Sequence, residues 1–338
     1  MEDSAALYEL ESILHSLVVN DTTILDALTQ MLSTIQQMQA RAEESQNALR
    51  QEVRELRGEI RTLAAALAEG GGATRPRVIV RTVDPFAAHN PEVALLAYLC
   101  PLLEDTNAID VGAHHGVVAE RLLKAGYSVY AFEPYTPSFQ SLCERLGSNT
   151  NFRAFQYALG PTDAQSELHV AADLSSVNKW DPTLFNSLVT RPMLQDLQFT
   201  KTVQVQMRSI ESLVRSGELP KSAGLLKVDT EGFDLEVLRG IGESRFSVVM
   251  AEFWDAAHAF GSGGNGQLHP LVEEMRCRGY QHYIVVYHLD EDEAISYYCD
   301  RDDTVPESWG NVLFFNEREI FVRSLRWCEE VLPSTLHR

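Results

Sequence analysis

The sequence predicts an α/β fold, in which a mostly parallel sheet carries helices on both faces, preceded by a long helical segment. From residue 78 onward, short apolar runs alternate with amphipathic stretches, which is the pattern of strands and helices following one another. Before residue 70, apolar residues recur in steps of three and four, which is the spacing of a helix with one apolar stripe. The two patterns together predict two structurally different regions.

The composition argues against several classes of partner and location. The chain has 338 residues, of which 45% are hydrophobic, and a net charge of −20 at pH 7. This acidity disfavours nucleic acids and anionic membranes, so we expect neither as a partner. No apolar run approaches the roughly 20 residues that a membrane-spanning helix needs. The N-terminus lacks the pattern of a signal peptide and the five cysteines are scattered, which favours a cytoplasmic protein.

Residues 1–69 predict a coiled coil through which the protein forms a homo-oligomer. Apolar residues keep heptad spacing over residues 7–38, with one polar residue, Asp21, at a core position. The spacing resumes in a shifted phase over residues 49–67, as in a coiled coil with a stutter. The alternative is a helical hairpin folded back on its own domain, for which Asp21 would mark the break between the two helices.

Residues 70–77 are predicted to be a linker, because three glycines and a proline end any helix. Residues 78–338 are predicted to be the α/β domain. Two of its strands alternate apolar and polar residues and are expected to be antiparallel additions around a variable insertion, those at 166–170 and 202–207. The other predicted strands cover 78–83, 108–111, 128–132, 152–157, 224–228, 246–253, 283–287 and 312–315, and the predicted helices 91–103, 117–125, 138–146, 210–215, 234–239, 270–278 and 319–331.

A glycine turn after the strand at 108–111 is the first candidate site. Gly112 lets the backbone turn tightly and pass close to a ligand, since it has no Cβ, and Gly116 permits close approach where the next helix begins. The carboxylate of Asp110, at the end of the strand, can accept hydrogen bonds from an ammonium group. The turn is therefore suited to a ligand with an amino-acid portion.

An acid at the end of the next strand is the second candidate. Glu133 lies 23 residues after Asp110 and is followed by Pro134. In this fold class, an acid about 20 residues beyond the glycine turn binds ribose hydroxyls. A nicotinamide-dependent oxidoreductase is the competing interpretation, but the spacing of Gly112 and Gly116 differs from GxGxxG. An aspartate directly before the turn would also lie badly beside a pyrophosphate.

Further acids follow two later strands. Asp229 and Glu231 come at the end of the strand at 224–228, and Glu252 near the end of the next strand. Ligands of open α/β sheets bind beyond the carboxyl ends of the strands, so these acids are expected at the same rim. The two-residue period of a strand places Lys227 and Asp229 on one face.

These motifs resemble those of the FkbM methyltransferase family, over about residues 108–315. His114 departs from the resemblance, because the family usually has Asn at that position. The stretches that match are Asp110–Ala113 with Gly116 (D-V-G-A-N-x-G), Phe132–Pro134 (F-E-P), Leu226–Gly232 (L-K-[IV]-D-x-E-G), Val237–Gly240 (V-L-x-G) and the closing strand Asn311–Phe315.

The resemblance implies a Rossmann-like, seven-stranded class I methyltransferase sheet and S-adenosyl-L-methionine as the cofactor. It also implies O-methylation of a hydroxyl on a sugar, a glycan or a secondary metabolite. His114 and its neighbour His115 are, as residue types, more typical of loop histidines than of catalysts. The cofactor-binding residues that we predict are Asp110, Gly112, Ala113, His114, Gly116, Glu133, Pro134 and Ala158.

Methylation of an alcohol needs a base near the acceptor, because the hydroxyl is a poor nucleophile until its proton is removed. Asp229 and Glu231 are the first candidates, Glu252 is the third, and Lys227 would balance or hold these carboxylates. Alternatively, Asp229 caps the following helix and Glu252 is a paired structural acid. The three acids could instead bind a divalent cation, but nothing in the spacing requires one, so we predict no metal. An inactive methyltransferase-like interaction protein with a coiled coil is the alternative function.

Overall fold

The computed structural model describes residues 90–173, 181–191, 197–261, 266–288, 296–299, 306 and 308–332. The predicted coiled coil at 1–69, the linker at 70–77 and the strand at 78–83 lie outside the described residues. None of the helices in the described ranges combines the length and the apolar character that crossing a membrane requires.

The described helices begin within two residues of their predicted starts. The first was predicted to run to residue 103, but it ends at Leu99 and continues as a 3-10 turn over Cys100–Leu102, where Pro101 cannot donate a backbone hydrogen bond. The helices are α1 (Pro91–Leu99), α2 (Val117–Ala125), α3 (Thr136–Leu146), α4 (Ile210–Arg215), α5 (Asp234–Arg239), α6 (Leu268–Cys277) and α7 (Arg318–Val331).

The strands fall into two sheets. The main sheet contains β1 (Asn107–Val111), β2 (Ser128–Phe132), β3 (Phe152–Phe155), β7 (Ser222–Val228), β8 (Arg245–Trp254), β9 (His282–His288), β10 (Ser296–Cys299) and β11 (Trp309–Phe315), and the small sheet contains β4 (Ala158–Leu159), β5 (Ala164–Asp173) and β6 (Leu197–Arg208).

The main sheet has the order β10-β9-β11-β8-β7-β1-β2-β3. Strands β3, β2, β1, β7 and β8 are parallel, and β11 lies antiparallel between β8 and β9. Seven of these strands correspond to the predicted seven-stranded sheet. The eighth, β10, pairs antiparallel with β9 at the edge and was not predicted. The chain order reverses between β1 and β7, and ligands of open α/β sheets bind at such a reversal.

Helices cover both faces of the main sheet, as predicted. The apolar residues of α1, α2, α3 and α7 pack on one face, and those of α4, α5 and α6 on the other. Along β7, Leu225 belongs to the first face and Leu226 and Val228 to the second, so the two-residue period is directly visible. Lys227 lies two residues after Leu225, and therefore on the same face of β7, and it is buried.

The small sheet confirms the predicted antiparallel pair and extends it. Strands β5 and β6 pair antiparallel over 164–173 and 197–208, and both are longer than predicted. The predicted strand at 152–157 is wrong at its end, because β3 stops at Phe155. Ala158 instead begins β4, which pairs parallel with β6 through Met207. The segment after β3 thus leaves the main sheet and joins the insertion.

Candidate functional site

The carboxyl ends of β1, β2 and β7 meet at one edge of the sheet and form a crevice that is open to solvent. The predicted site residues on its wall come from four separate parts of the sequence. They are Gly112 and His114 after β1, Glu133 and Pro134 after β2, Ala158 in β4, and Asp229 and Glu231 after β7. Thr183, Leu184 and Asn186–Leu188 of the insertion complete the wall.

The glycine turn packs backbone against backbone on the turn after β7. Gly112 has φ +76°, and a Cβ added there would lie 1.9 Å from the carbonyl oxygen of Asp229. Gly116 has φ +80°, and its Cβ would lie 2.6 Å from Leu142 Cδ1 of α3. Gly116 and the buried Ala113 lie outside the crevice wall, so the structure places these two predicted cofactor residues in the packing behind the turn.

Glu133 fixes the glycine turn as well as lining the crevice. Its carboxylate accepts the backbone N–H of His114 at 2.9 Å and that of Tyr135 at 2.8 Å. Burial raises the pKa of Glu133 to about 7, although these two hydrogen bonds act in the opposite direction. An ionised carboxylate can accept about four hydrogen bonds, so Glu133 retains acceptor capacity for a ligand.

Asp110 is fully buried and does not itself line the crevice. Lys227 Nζ lies 3.1 Å from Asp110 Oδ1 and 3.4 Å from Asp229 Oδ2. Burial alone would lower the pKa of Lys227, but the two carboxylates outweigh it and the pKa is raised. The ammonium group that Asp110 meets in the fold is therefore that of Lys227, which connects Asp110 to Asp229 at the crevice.

The acids predicted for catalysis lie together. Asp229, Glu231 and Glu252 each place one carboxylate oxygen within 4.8 Å of those of the other two. Glu252 is 9% exposed and lies behind the crevice wall rather than on it. Burial raises the pKa of Glu231 to about 8. Burial, together with the charge of Glu231, also raises that of Glu252.

Arg191 is a site residue that the sequence did not reveal. Its guanidinium is buried, pairs with Glu231 and lies 4.5 Å from the ring centroid of Trp254 and 4.0 Å from that of Phe260. The planar cation therefore stacks between two aromatic rings while it holds one acid. No motif surrounds Arg191 in the insertion, so a single sequence carries no signal for it.

Asp234 is a second residue beside the acids that the sequence did not reveal. It is fully buried and accepts hydrogen bonds from Thr230 N at 3.1 Å, Thr230 Oγ1 at 2.7 Å and Glu252 N at 2.9 Å. The helix α5 begins at Asp234, whereas Asp229 pairs with Lys227. The alternative that Asp229 caps this helix is therefore wrong. The sequence signal for Asp234 was its position as an acid in the first turn of the predicted helix.

Two histidines connect the glycine turn to the insertion. His114 Nε2 lies 2.8 Å from Thr183 Oγ1, and His115 Nε2 lies 2.8 Å from Asp181 Oδ2. Burial lowers the pKa of His114 to about 4, so its imidazole is neutral near pH 7. The departure from the family's Asn at this position thus couples the turn to residues 181–191, which form part of the crevice wall.

The sheet order and the crevice at its reversal define a Rossmann-like α/β protein with a crevice at the carboxyl ends of β1 and β7. A family model described as Methyltransferase FkbM domain matches residues 110–281, which are 172 of the 338 residues. The chain belongs to this FkbM methyltransferase family, which confirms the resemblance found in the motifs.

A curated protein and several solved structures are similar to the chain. Methyltransferase 1 of Beauveria bassiana (strain ARSEF 2860) is 28% identical over 163 residues, which are 45% of this chain and 64% of that protein. The chain therefore spans less than two thirds of that relative. The methyltransferase FkbM structure from Methylobacillus flagellatus KT is 16% identical, with a TM-score of 0.36, and the match covers 62% of this chain and 43% of that one. The N-terminal domain of human METTL16 in complex with SAH is 11% identical, with a TM-score of 0.37, and the match covers 70% and 74%.

Proposed function

We propose that the protein is an S-adenosylmethionine-dependent methyltransferase that methylates a hydroxyl of a sugar, a glycan or a secondary metabolite. One observation carries the proposal. A single crevice joins Glu133, the acid suited to ribose, to Asp229 and Glu231, the acids suited to a hydroxyl. Membership of the FkbM family supports methyl as the group that is transferred.

Successive parts of the crevice wall fit successive parts of the cofactor. Glu133 would accept the ribose hydroxyls, and the ring of Tyr157 on the same wall suits the adenine ring. The turn at Gly112, where the missing Cβ allows close approach, would hold the methionine portion. Asp110 positions this end of the crevice indirectly, because it acts through Lys227.

The reaction requires the acceptor oxygen, the methyl carbon and the sulfur in one line. Bound S-adenosylmethionine would supply the methyl group to the acceptor oxygen, and its sulfur would keep the electron pair of the broken carbon–sulfur bond. The hydroxyl proton passes to a carboxylate on the wall, Asp229 or Glu231. A base whose pKa lies near the working pH is the most effective, and burial brings Glu231 into that range.

Calorimetric titration of the full chain tests the proposal. We expect one S-adenosylmethionine per chain, comparable binding of S-adenosylhomocysteine, and no binding of NAD. Transfer of a labelled methyl group to a panel of sugars and hydroxylated metabolites then identifies the acceptor class. Asp229→Asn or Glu231→Gln should lower kcat by about 10²–10⁴-fold for the residue that acts as the base. Glu144→Gln, on the exposed side of α3, is the matched control. A folded sample that binds neither nucleoside contradicts the proposal.

The affinity for S-adenosylmethionine is expected to depend on pH through Glu133. Its pKa is about 7 in the free protein, and ribose hydroxyls donate best to the ionised form. The ionised fraction is nearly complete at pH 8 and about one tenth at pH 6, so Kd should rise about tenfold between these values. Titrations at five pH values measure the curve. Glu133→Gln should bind more weakly and lose this dependence, and an equally steep curve in that variant would assign it to another group.

A further inference from the structure

We propose that Asp229, Glu231 and Glu252 bind a divalent metal ion of the Mg²⁺ or Mn²⁺ class beside the crevice. The three acids come from the turn after β7 and the end of β8, and one oxygen of each lies within 4.8 Å of the other two. Oxygen ligands at about 2.1 Å from such an ion lie roughly 3–4 Å apart. Small rotations of the side chains therefore close the site.

Carboxyl groups outnumber cations around the three acids among the described residues. Burial disfavours the ionised form of a carboxyl group unless a partner of opposite sign is present, and a divalent cation would be such a partner. Five carboxyl groups and two cations lie together here. The carboxyl groups are those of Asp110, Asp229, Glu231, Asp234 and Glu252, and the cations are Lys227 and Arg191.

Glu252 supplies an independent observation that points to a ligand. Its side chain is at least nine-tenths buried, and Oε2 has no hydrogen-bond partner among the described residues. The backbone N–H of Glu252 is bonded to Asp234, so the strand end that carries the carboxylate is fixed. Buried carboxylate oxygens in folded proteins are nearly always satisfied, and a cation would satisfy this one.

The backbone at Glu231 presents its carboxylate to the same point. Glu231 has φ +57°, an uncommon conformation for a residue with a side chain, and Gly232 continues the turn with φ +97°. Arg191 binds Glu231 Oε2, which leaves Oε1 available to a cation. A guanidinium on the outer oxygen orients a ligating carboxylate, as outer-shell partners do in metal sites.

The ion would have open coordination positions on the side of the crevice, because Asp229 and Glu231 line its wall. Water or the acceptor hydroxyl would occupy them, and coordination would lower the pKa of that hydroxyl, so that with the ion bound the metal would replace Asp229 or Glu231 as the group that activates it. This role rests on the proposed methyl transfer. Binding of the ion itself does not, and it can be measured without cofactor or acceptor.

Mn²⁺ binding to the full chain, followed by electron paramagnetic resonance of the free ion, tests the inference. We expect one Mn²⁺ per chain and competition by Mg²⁺. Glu252→Gln should weaken binding at least tenfold, and Glu252→Asp, which keeps the charge, should weaken it less. Asp181→Asn is the matched control, because His114, His115 and Asp181 form a second group that could hold a metal. This variant should keep the wild-type affinity.

Circular dichroism and thermal melting establish that each variant is folded. Absence of Mn²⁺ binding to the folded wild type, or equal affinity in folded Glu252→Gln and wild type, overturns the metal site. Loss of binding in Asp181→Asn instead moves the ion to the histidine group and also overturns it. Titration of S-adenosylmethionine in excess EDTA keeps the two proposals apart, since the cofactor should still bind when the metal site is empty or does not exist.

Discussion

Replacing Lys227 by methionine is expected to lower the free energy of unfolding by about 3–5 kcal/mol, the cost of leaving a buried charge without its partner. The ammonium group lies 3.1 Å from the fully buried Asp110 and 3.4 Å from Asp229. Methionine has a similar volume and fits the apolar surroundings, so the loss comes from the charge rather than from a cavity. Urea unfolding followed by circular dichroism measures the change.

Three further variants, Lys221→Met, Asp110→Asn and the double variant Asp110→Asn/Lys227→Met, separate the ion pair from a general effect of losing a lysine. Lys221→Met changes an exposed lysine next to β7 and should alter the stability by no more than about 0.5 kcal/mol. Asp110→Asn in the Lys227→Met background removes the orphaned charge and should recover part of the loss. If the double variant is as unstable as the sum of the two single variants, Asp110 and Lys227 do not act as a pair.

Much of the fold could be predicted because the parallel strands are buried on both sides. Strands such as β1 and β7 are short apolar runs that end in glycine or acid, and the helices between them keep an apolar stripe. The edge strand β10 was missed. Its four residues are held by antiparallel pairing with β9, and pairing of this kind leaves no periodic signal in so short a segment.

The site could be predicted where a residue directly follows a strand. Glu133, Asp229 and Glu231 lie on one crevice because β2 and β7 flank β1, an order that the structure shows and the sequence pattern did not predict. Whether a side chain faces the crevice or the interior depends on its neighbours across the sheet. Asp110 is turned toward Lys227, and that contact joins residues more than 100 positions apart in the chain. The same limit applies to Arg191, whose partners Glu231 and Trp254 follow it by 40 and 63 positions in the sequence.

Gly112→Ala is expected to lower the free energy of unfolding by more than about 3 kcal/mol, a large effect for a single substitution. It should also abolish cofactor binding in the fraction of the protein that remains folded. Two effects add. Alanine at φ +76° carries the penalty of a left-handed conformation, about 1–2 kcal/mol. Its Cβ would also lie 1.9 Å from the carbonyl oxygen of Asp229, which is backbone and cannot rotate away.

Gly217→Ala separates these two effects. Gly217 has φ +80°, almost the same as Gly112, but an added Cβ would meet nothing within 4 Å. Its cost should therefore be the conformational penalty alone, about 1–2 kcal/mol, with cofactor affinity unchanged. Urea unfolding and calorimetric titration of both variants measure the difference. The excess in Gly112→Ala reports the contact between the turns after β1 and β7, because Asp229 N also donates to Val111 O across the same junction. Equal losses of stability in the two variants would mean that the turns after β1 and β7 are not in contact. The crevice between them would then be wider than the structure shows.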